Sequence, residues 1–191
     1  MVLQTARGLA REFGLEAVTP GAGSTLRLLA AAGSARAVVE IGTGTGVSGV
    51  WLLRGMREDG VLTTIDVENE HQRIARRIFV EAGFAPSRTR IITGRALDVL
   101  PRLADGAYDM VFVDADNAEY GACVDAARRL LRPGGVLALS GALAGGRIAD
   151  PAARDVDTVT VREVIKAVRE SDEWVPALLP SGDGLLVAVR K

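Results

Sequence analysis

The chain has 191 residues, 48% of them hydrophobic, which suffices for the core of one domain and excludes a disordered chain. Lys and Arg number 23 against 24 Asp and Glu, a net charge of −1, which excludes the marked basic excess of a nucleic-acid-binding surface. A single cysteine, Cys123, cannot close an internal disulfide, and the longest apolar-looking stretch, 133–146, is too short and too glycine-rich to span a bilayer.

In chain order, Leu3, Ala6, Leu9, Ala10 and Phe13 give a helical stripe over 3–13. Arg7, Arg11 and Glu12 interrupt its apolar residues, so the expectation is a cytoplasmic protein without a signal peptide or membrane segment. Pro20 and two glycines break the pattern, and Ser24 or Thr25 is positioned to cap a second helix reaching about residue 32. Strands and helices then alternate. Strands are expected at 37–41, 61–65, 89–93, 108–113 and 136–139, with helices at 47–56, 70–82, 97–100, 118–131 and 156–169. Pro133-Gly134-Gly135 is read as the stop of the 118–131 helix. Runs 174–179 and 185–189 flank a five-residue loop, 180–184, and predict an antiparallel hairpin.

Such alternation predicts one domain over 1–191, of class α/β, with a parallel sheet covered by helices on both faces. Ligands bind beyond the carboxyl ends of the strands in such sheets. Gly42, Asp66, Gly94, Asp114 and Ser140 all fall at those ends. The stretch Glu40-Ile41-Gly42-Thr43-Gly44-Thr45-Gly46 closes the first strand on a glycine loop, and Asp66 ends the second. Glycine lets the backbone turn sharply and approach a ligand, and an acidic residue some 20–25 positions on suits a ribose, so an adenosine-containing cofactor is expected. Gly44-Thr45-Gly46-Val47-Ser48-Gly49 also matches G-x-G-x-x-G and leaves NAD open. Glu40 argues against it: a carboxylate there suits the ammonium of a methionine moiety and would repel a pyrophosphate.

The glycine loop, Thr64-Ile65-Asp66, Gly94-Arg95-Ala96, Phe112-Val113-Asp114-Ala115-Asp116, Arg132-Pro133-Gly134-Gly135 and Gly182-Asp183-Gly184-Leu185 follow in order. This series resembles the S-adenosylmethionine-dependent O-methyltransferases of the catechol and caffeoyl-CoA type, over nearly the whole chain from about Ala6. The resemblance implies a Rossmann-like class I methyltransferase fold: seven strands, mostly parallel, with an antiparallel C-terminal hairpin. Segment 1–32 would cover the site. It implies that Gly42, Thr43 and Gly44 pass the methionine end of the cofactor, with Ser48 bonding its carboxylate. Asp66 would take the ribose hydroxyls, Val67 and Ala96 would flank the adenine, and Val18 would close over the cofactor. Asp114 would lie near the sulfonium. The acceptor would be a small hydroxylated, aromatic molecule, and a homodimer is an assembly the likeness allows.

The match departs from the family at the metal and the base. The family's divalent cation takes the aspartate ending strand four, here Asp114, and an Asp-Asn pair after strand five, where this chain has Ser140-Gly141. A hydroxyl and a glycine supply no carboxylate or amide oxygen, so magnesium is expected to bind poorly, and no metal ligands are assigned. The family's lysine position holds Asn117, which accepts no proton near neutral pH. Asp114 and Asp116 remain as candidate bases. Asp150, Asp155 and Asp157 read as loop charges or helix caps, His71 as a half-buried residue near the adenine edge, and Tyr120 and Trp51 as packing residues. The leading expectation is an O-methyltransferase that is metal-independent or slow. A non-catalytic cofactor-binding protein and a nicotinamide-dependent oxidoreductase are the alternatives.

Overall fold

The apolar runs form a single sheet in the computed structural model, which describes all 191 residues. Five parallel strands, β1 (Ala37–Ile41), β2 (Val61–Asp66), β3 (Thr89–Thr93), β4 (Tyr108–Val113) and β5 (Leu131–Leu139), are joined by an antiparallel pair, β6 (Trp174–Leu179) and β7 (Leu185–Arg190). Their order is β3-β2-β1-β4-β5-β7-β6. The direction of strand progression therefore reverses between β1 and β4, and a crevice opens at their carboxyl ends.

Side chains alternate between two apolar layers. Val38, Leu62, Met110 and Phe112 face α1 (Val2–Glu12), α2 (Pro20–Ala32), α3 (Val47–Gly55) and α4 (Asn69–Glu81), where Leu26, Val50, Ile78 and Phe79 meet them. Val39, Ile41, Ile65, Val111 and Val113 face α5 (Ala96–Val99), α6 (Tyr120–Leu130) and α7 (Val156–Glu170) on the other side. Both faces being covered explains why β1 and β4 read as nearly continuous apolar runs. None of the helices is long and apolar enough to cross a membrane.

The largest differences from the sequence expectation lie at the start of α2 and at the junction of α6 with β5. Helix α2 begins at Pro20, not at Ser24 or Thr25: Thr19 is its cap, with its hydroxyl accepting from the Ala22 amide at 3.2 Å. Proline suits the first helical position because no amide donor is needed there. Helix α6 ends at Leu130, before Pro133-Gly134-Gly135, and those residues lie inside β5. Pairing passes from Tyr108↔Leu131 to Met110↔Val136, so the Pro-Gly-Gly run is a bulge in the strand rather than the stop of a helix. Short 3₁₀ turns at Asn117–Glu119 and Ala144–Ala149 were not expected from periodicity.

Candidate active site

At the switch point, the ladder continues past the strand ends: Gly42 N donates to the Ile65 carbonyl at 2.9 Å, and Asp114 N to the Ile41 carbonyl at 2.8 Å. Gly42 has φ +91°, and a Cβ there would stand 1.9 Å from the Asp114 carbonyl oxygen. Only glycine lets β1 and β4 approach this closely while the loop turns. Gly46 opens α3 at φ +86°, against Phe79 and Ala75 of α4.

Side chains pin the loop from below, beside and above. Asp66 accepts from Gly44 N through Oδ2 and from Glu68 N through Oδ1, both at 2.9 Å, and His71 Nδ1 lies 3.5 Å from Oδ1. Beneath, the Thr43 and Thr64 hydroxyls meet at 2.6 Å, and Thr64 donates to Glu40 Oε2 at 2.6 Å. Above, the Thr45 hydroxyl donates to the Ala6 carbonyl at 2.8 Å, and Arg7 reaches the Val18 carbonyl. Helix α1 and the segment after it are thereby fastened to the glycine loop.

A cavity of about 540 Å³ occupies this edge. Its wall contains Val18, Gly42, Thr43, Gly44, Ser48, Asp66, Val67, Ala96, Asp114 and Asp116. Glu40, expected to meet the methionine ammonium, is the exception in position. It is fully buried and absent from the wall, because alternation along β1 puts residue 40 on the same sheet face as Val38, opposite Thr64 and under α3. Its Oε2 would lie 3.2 Å from a Cβ on Gly49, and its Oε1 has no hydrogen-bond partner. Burial pushes its pKa up to about 7, against the lowering effect of the Ser48 and Thr64 hydroxyls, with Asp114 and Asp66 adding a smaller rise. Glu40 thus sits beneath the glycine loop, with Ser48 of the wall among the hydroxyls beside it.

Asp114 is partly buried at the end of β4, and burial raises its pKa to about 6 although the Ser140 hydroxyl opposes the shift. Asp116 is exposed, and its Oδ1 caps the next turn by accepting from Ala118 N at 3.0 Å. Tyr120 lies buried outside the cavity wall, donating to the Ser140 carbonyl at 2.9 Å; burial and neighbouring carboxylates push its pKa above the usual range. Asp155 caps α7 by accepting from Thr158 N at 3.0 Å, and Asp150 accepts from Ala152 N at 2.8 Å. No group of three or more His, Cys, Asp or Glu side chains is placed to hold a metal ion.

The cavity also has wall residues to which the sequence reading gave no individual role. Leu15, Glu16 and Ala17 line it, and Phe13 packs edge-on against His71 with ring centroids 5.7 Å apart. Arg95 and Glu119 also line it, 3.6 Å apart. The signal for the lid was present in the helix-break-helix pattern before residue 20. Nothing local marked Glu119, which reaches the cavity only through the 3₁₀ turn.

The family model for O-methyltransferases matches residues 6–191. A relative from Mycobacterium (strain JLS) that carries the name O-methyltransferase is 55% identical over 189 residues, covering 99% of this chain and 86% of its own length. Among solved structures, a Corynebacterium glutamicum protein is similar at 40% identity and TM-score 0.93, over 99% of this chain and 89% of that one. TomG from Streptomyces achromogenes, an O-methyltransferase involved in tomaymycin synthesis and crystallised with S-adenosylmethionine, is similar at 33% identity and TM-score 0.90, over 100% and 89%.

Proposed function

The chain belongs to the O-methyltransferase family, and from that premise we propose that it transfers a methyl group from S-adenosylmethionine to a small hydroxylated, aromatic acceptor without a divalent metal. One observation carries the reading: the cavity at the β1–β4 switch joins the glycine loop to Asp66, and Arg95 is the only lysine or arginine in its wall. A pyrophosphate would meet carboxylates with a single opposing cation, whereas a sulfonium and an ammonium are attracted. That contrast, together with membership of the O-methyltransferase family, supports S-adenosylmethionine over a nicotinamide cofactor.

S-Adenosylmethionine, when bound, supplies a methyl group on a positively charged sulfur. The chain's residues have to hold and align it. Asp66 has lone pairs left beside the Gly44 and Glu68 amides with which to accept ribose hydroxyls. Val67 and Ala96 would flank the adenine, and Val18 would close from the lid. Gly42, Thr43, Gly44 and Ser48 would border the methionine end, while Glu40 acts from beneath as a buried carboxylate that props the loop. Asp114 takes the acceptor hydroxyl's proton onto its carboxylate: raised to about 6, it is ionised at neutral pH yet more basic than an exposed aspartate. Asp116, on the exposed rim, is the second candidate for that proton.

The residues present do not fit a hard cation. Magnesium requires near-octahedral oxygen ligands. Here the hydroxyl of Ser140 beside Asp114 is neutral, Gly141 has no side chain, and no three carboxylates, histidines or cysteines are grouped to hold an ion. No step of the mechanism passes through a metal. The test is methyl transfer from S-adenosylmethionine to a panel of hydroxylated aromatics, with magnesium added and then chelated. Product at rates agreeing within about twofold supports the proposal. Loss of product on chelation overturns the metal-free mechanism, and cofactor binding without product from any acceptor favours the non-catalytic alternative.

A further inference from the structure

We propose that the acceptor end of this cavity selects by charge: it admits neutral or cationic hydroxylated molecules and turns away those bearing carboxylate or phosphate groups, acyl-coenzyme A thioesters included. The inference rests on the methyl-transfer reading and adds the charge class of the acceptor. The cavity wall holds six carboxylates, Glu16, Asp66, Glu68, Asp114, Asp116 and Glu119, against Arg95 and His71. Arg95 lies 3.6 Å from Glu119, so that pair offsets itself; with Asp66 and Glu68 at the ribose end, Asp114 and Asp116 are the unpaired carboxylates toward the acceptor.

Beyond Asp114 the imbalance continues. Asp183, in the loop between β6 and β7, accepts from Gly145 N through Oδ1 at 2.8 Å, and its carbonyl accepts from Leu143 N at 2.8 Å. These bonds hold its carboxylate beside the segment that follows β5. The Tyr120 hydroxyl, bonded to the Ser140 carbonyl at the end of that strand, has its pKa pushed up by burial first, with Asp114, Asp183 and Asp116 adding to the rise. Arg147, the cation of the same segment, is turned toward Asp155 at 3.5 Å. Asn117 is neutral, and no side-chain group is placed to bring in a divalent cation that would balance the carboxylates.

An anionic acceptor therefore meets Asp114 and Asp116 in the wall, with Asp183 on the loop behind them, and the one Lys or Arg of that wall, Arg95, is already paired with Glu119. The rim carboxylates are accessible, so their effect falls as salt shortens the screening length from about 8 Å at physiological strength.

The experiment uses three acceptors with the same 3,4-dihydroxyphenyl ring and a two-carbon arm ending in an ammonium, a hydroxyl or a carboxylate. With S-adenosylmethionine at low salt, kcat/KM is expected to fall in that order. The first should exceed the last by at least tenfold, a difference shrinking at least threefold in 0.5 M salt. Asp183→Asn, and Glu119→Gln, which also unpairs Arg95, should each lower the ammonium-to-carboxylate ratio at least threefold. A carboxylate arm that equals or surpasses the ammonium arm, or a ratio indifferent to salt, overturns the inference. If none of the three is methylated although the cofactor binds, the methyl-transfer reading fails on its own account. The charge order is then read from binding of the three compounds to the protein loaded with S-adenosylhomocysteine, where an absent or reversed order overturns the selection.

Discussion

Glu40→Gln isolates the one fully buried carboxyl of the site. The side chain has no exposure, its Oε2 accepts from Thr64 at 2.6 Å, and its Oε1 is unpartnered. Burial carries the pKa from 4.5 to about 7. At about 1.4 kcal/mol per pH unit, the folded protein favours the protonated carboxyl by about 3 kcal/mol relative to the unfolded chain. Because the folded-state value is raised, this contribution is fully present below pH 4.5 and is lost as pH rises through about 7. Glutamine keeps an acceptor for Thr64 and cannot ionise, so the variant lacks that loss, while the other carboxyls titrate alike in both proteins. Urea unfolding of both proteins at pH 5 and pH 8 reads the effect: the variant should gain about 2–3 kcal/mol on wild type across that interval. A stability difference independent of pH would refute the reasoning, since it would mean that residue 40 ionises as freely in the folded protein as in water.

Gly42→Ala should destabilise by at least about 3 kcal/mol, because its Cβ would meet backbone at 1.9 Å and φ is +91°; a wild-type unfolding midpoint would contradict the close approach of β1 to β4. Asp66→Asn presents an amide donor to one of two backbone donors, Gly44 N or Glu68 N. It should lower stability by about 1–2 kcal/mol in denaturation and weaken S-adenosylhomocysteine binding about tenfold in calorimetry. The rate of methyl transfer should fall about tenfold per pH unit below about 6, as Asp114 takes up a proton and ceases to be a base. Asp114→Asn should remove that limb of the pH profile and lower kcat about 100-fold or more.

Strands β1, β3, β4 and β6 have the bounds their short, largely apolar runs predict. The errors have local physical causes. Pro20 looked like a breaker, yet at the first helical position it loses no hydrogen bond, and Thr19 supplies the cap. Pro133-Gly134-Gly135 looked like a helix stop, but a tolerated bulge near a strand's start uses the same residues.

For the site, period two along β1 was legible and puts Glu40 on the face of Val38, beneath the glycine loop. The glycine loop and Asp66 were legible because both are constrained by backbone geometry. Glu16, Arg95, Glu119 and Asp183 were not, because their places depend on how the lid and three loops fold over the sheet edge.

The central claim is that this cavity accepts a sulfonium nucleoside and not a dinucleotide. Calorimetric titration of the protein with S-adenosylmethionine, and separately with NAD, tests it most directly. Saturable binding of S-adenosylmethionine at one site per chain, with no heat from NAD, is the predicted result. Binding of NAD at that site, or no binding of S-adenosylmethionine at saturating concentration, would contradict it.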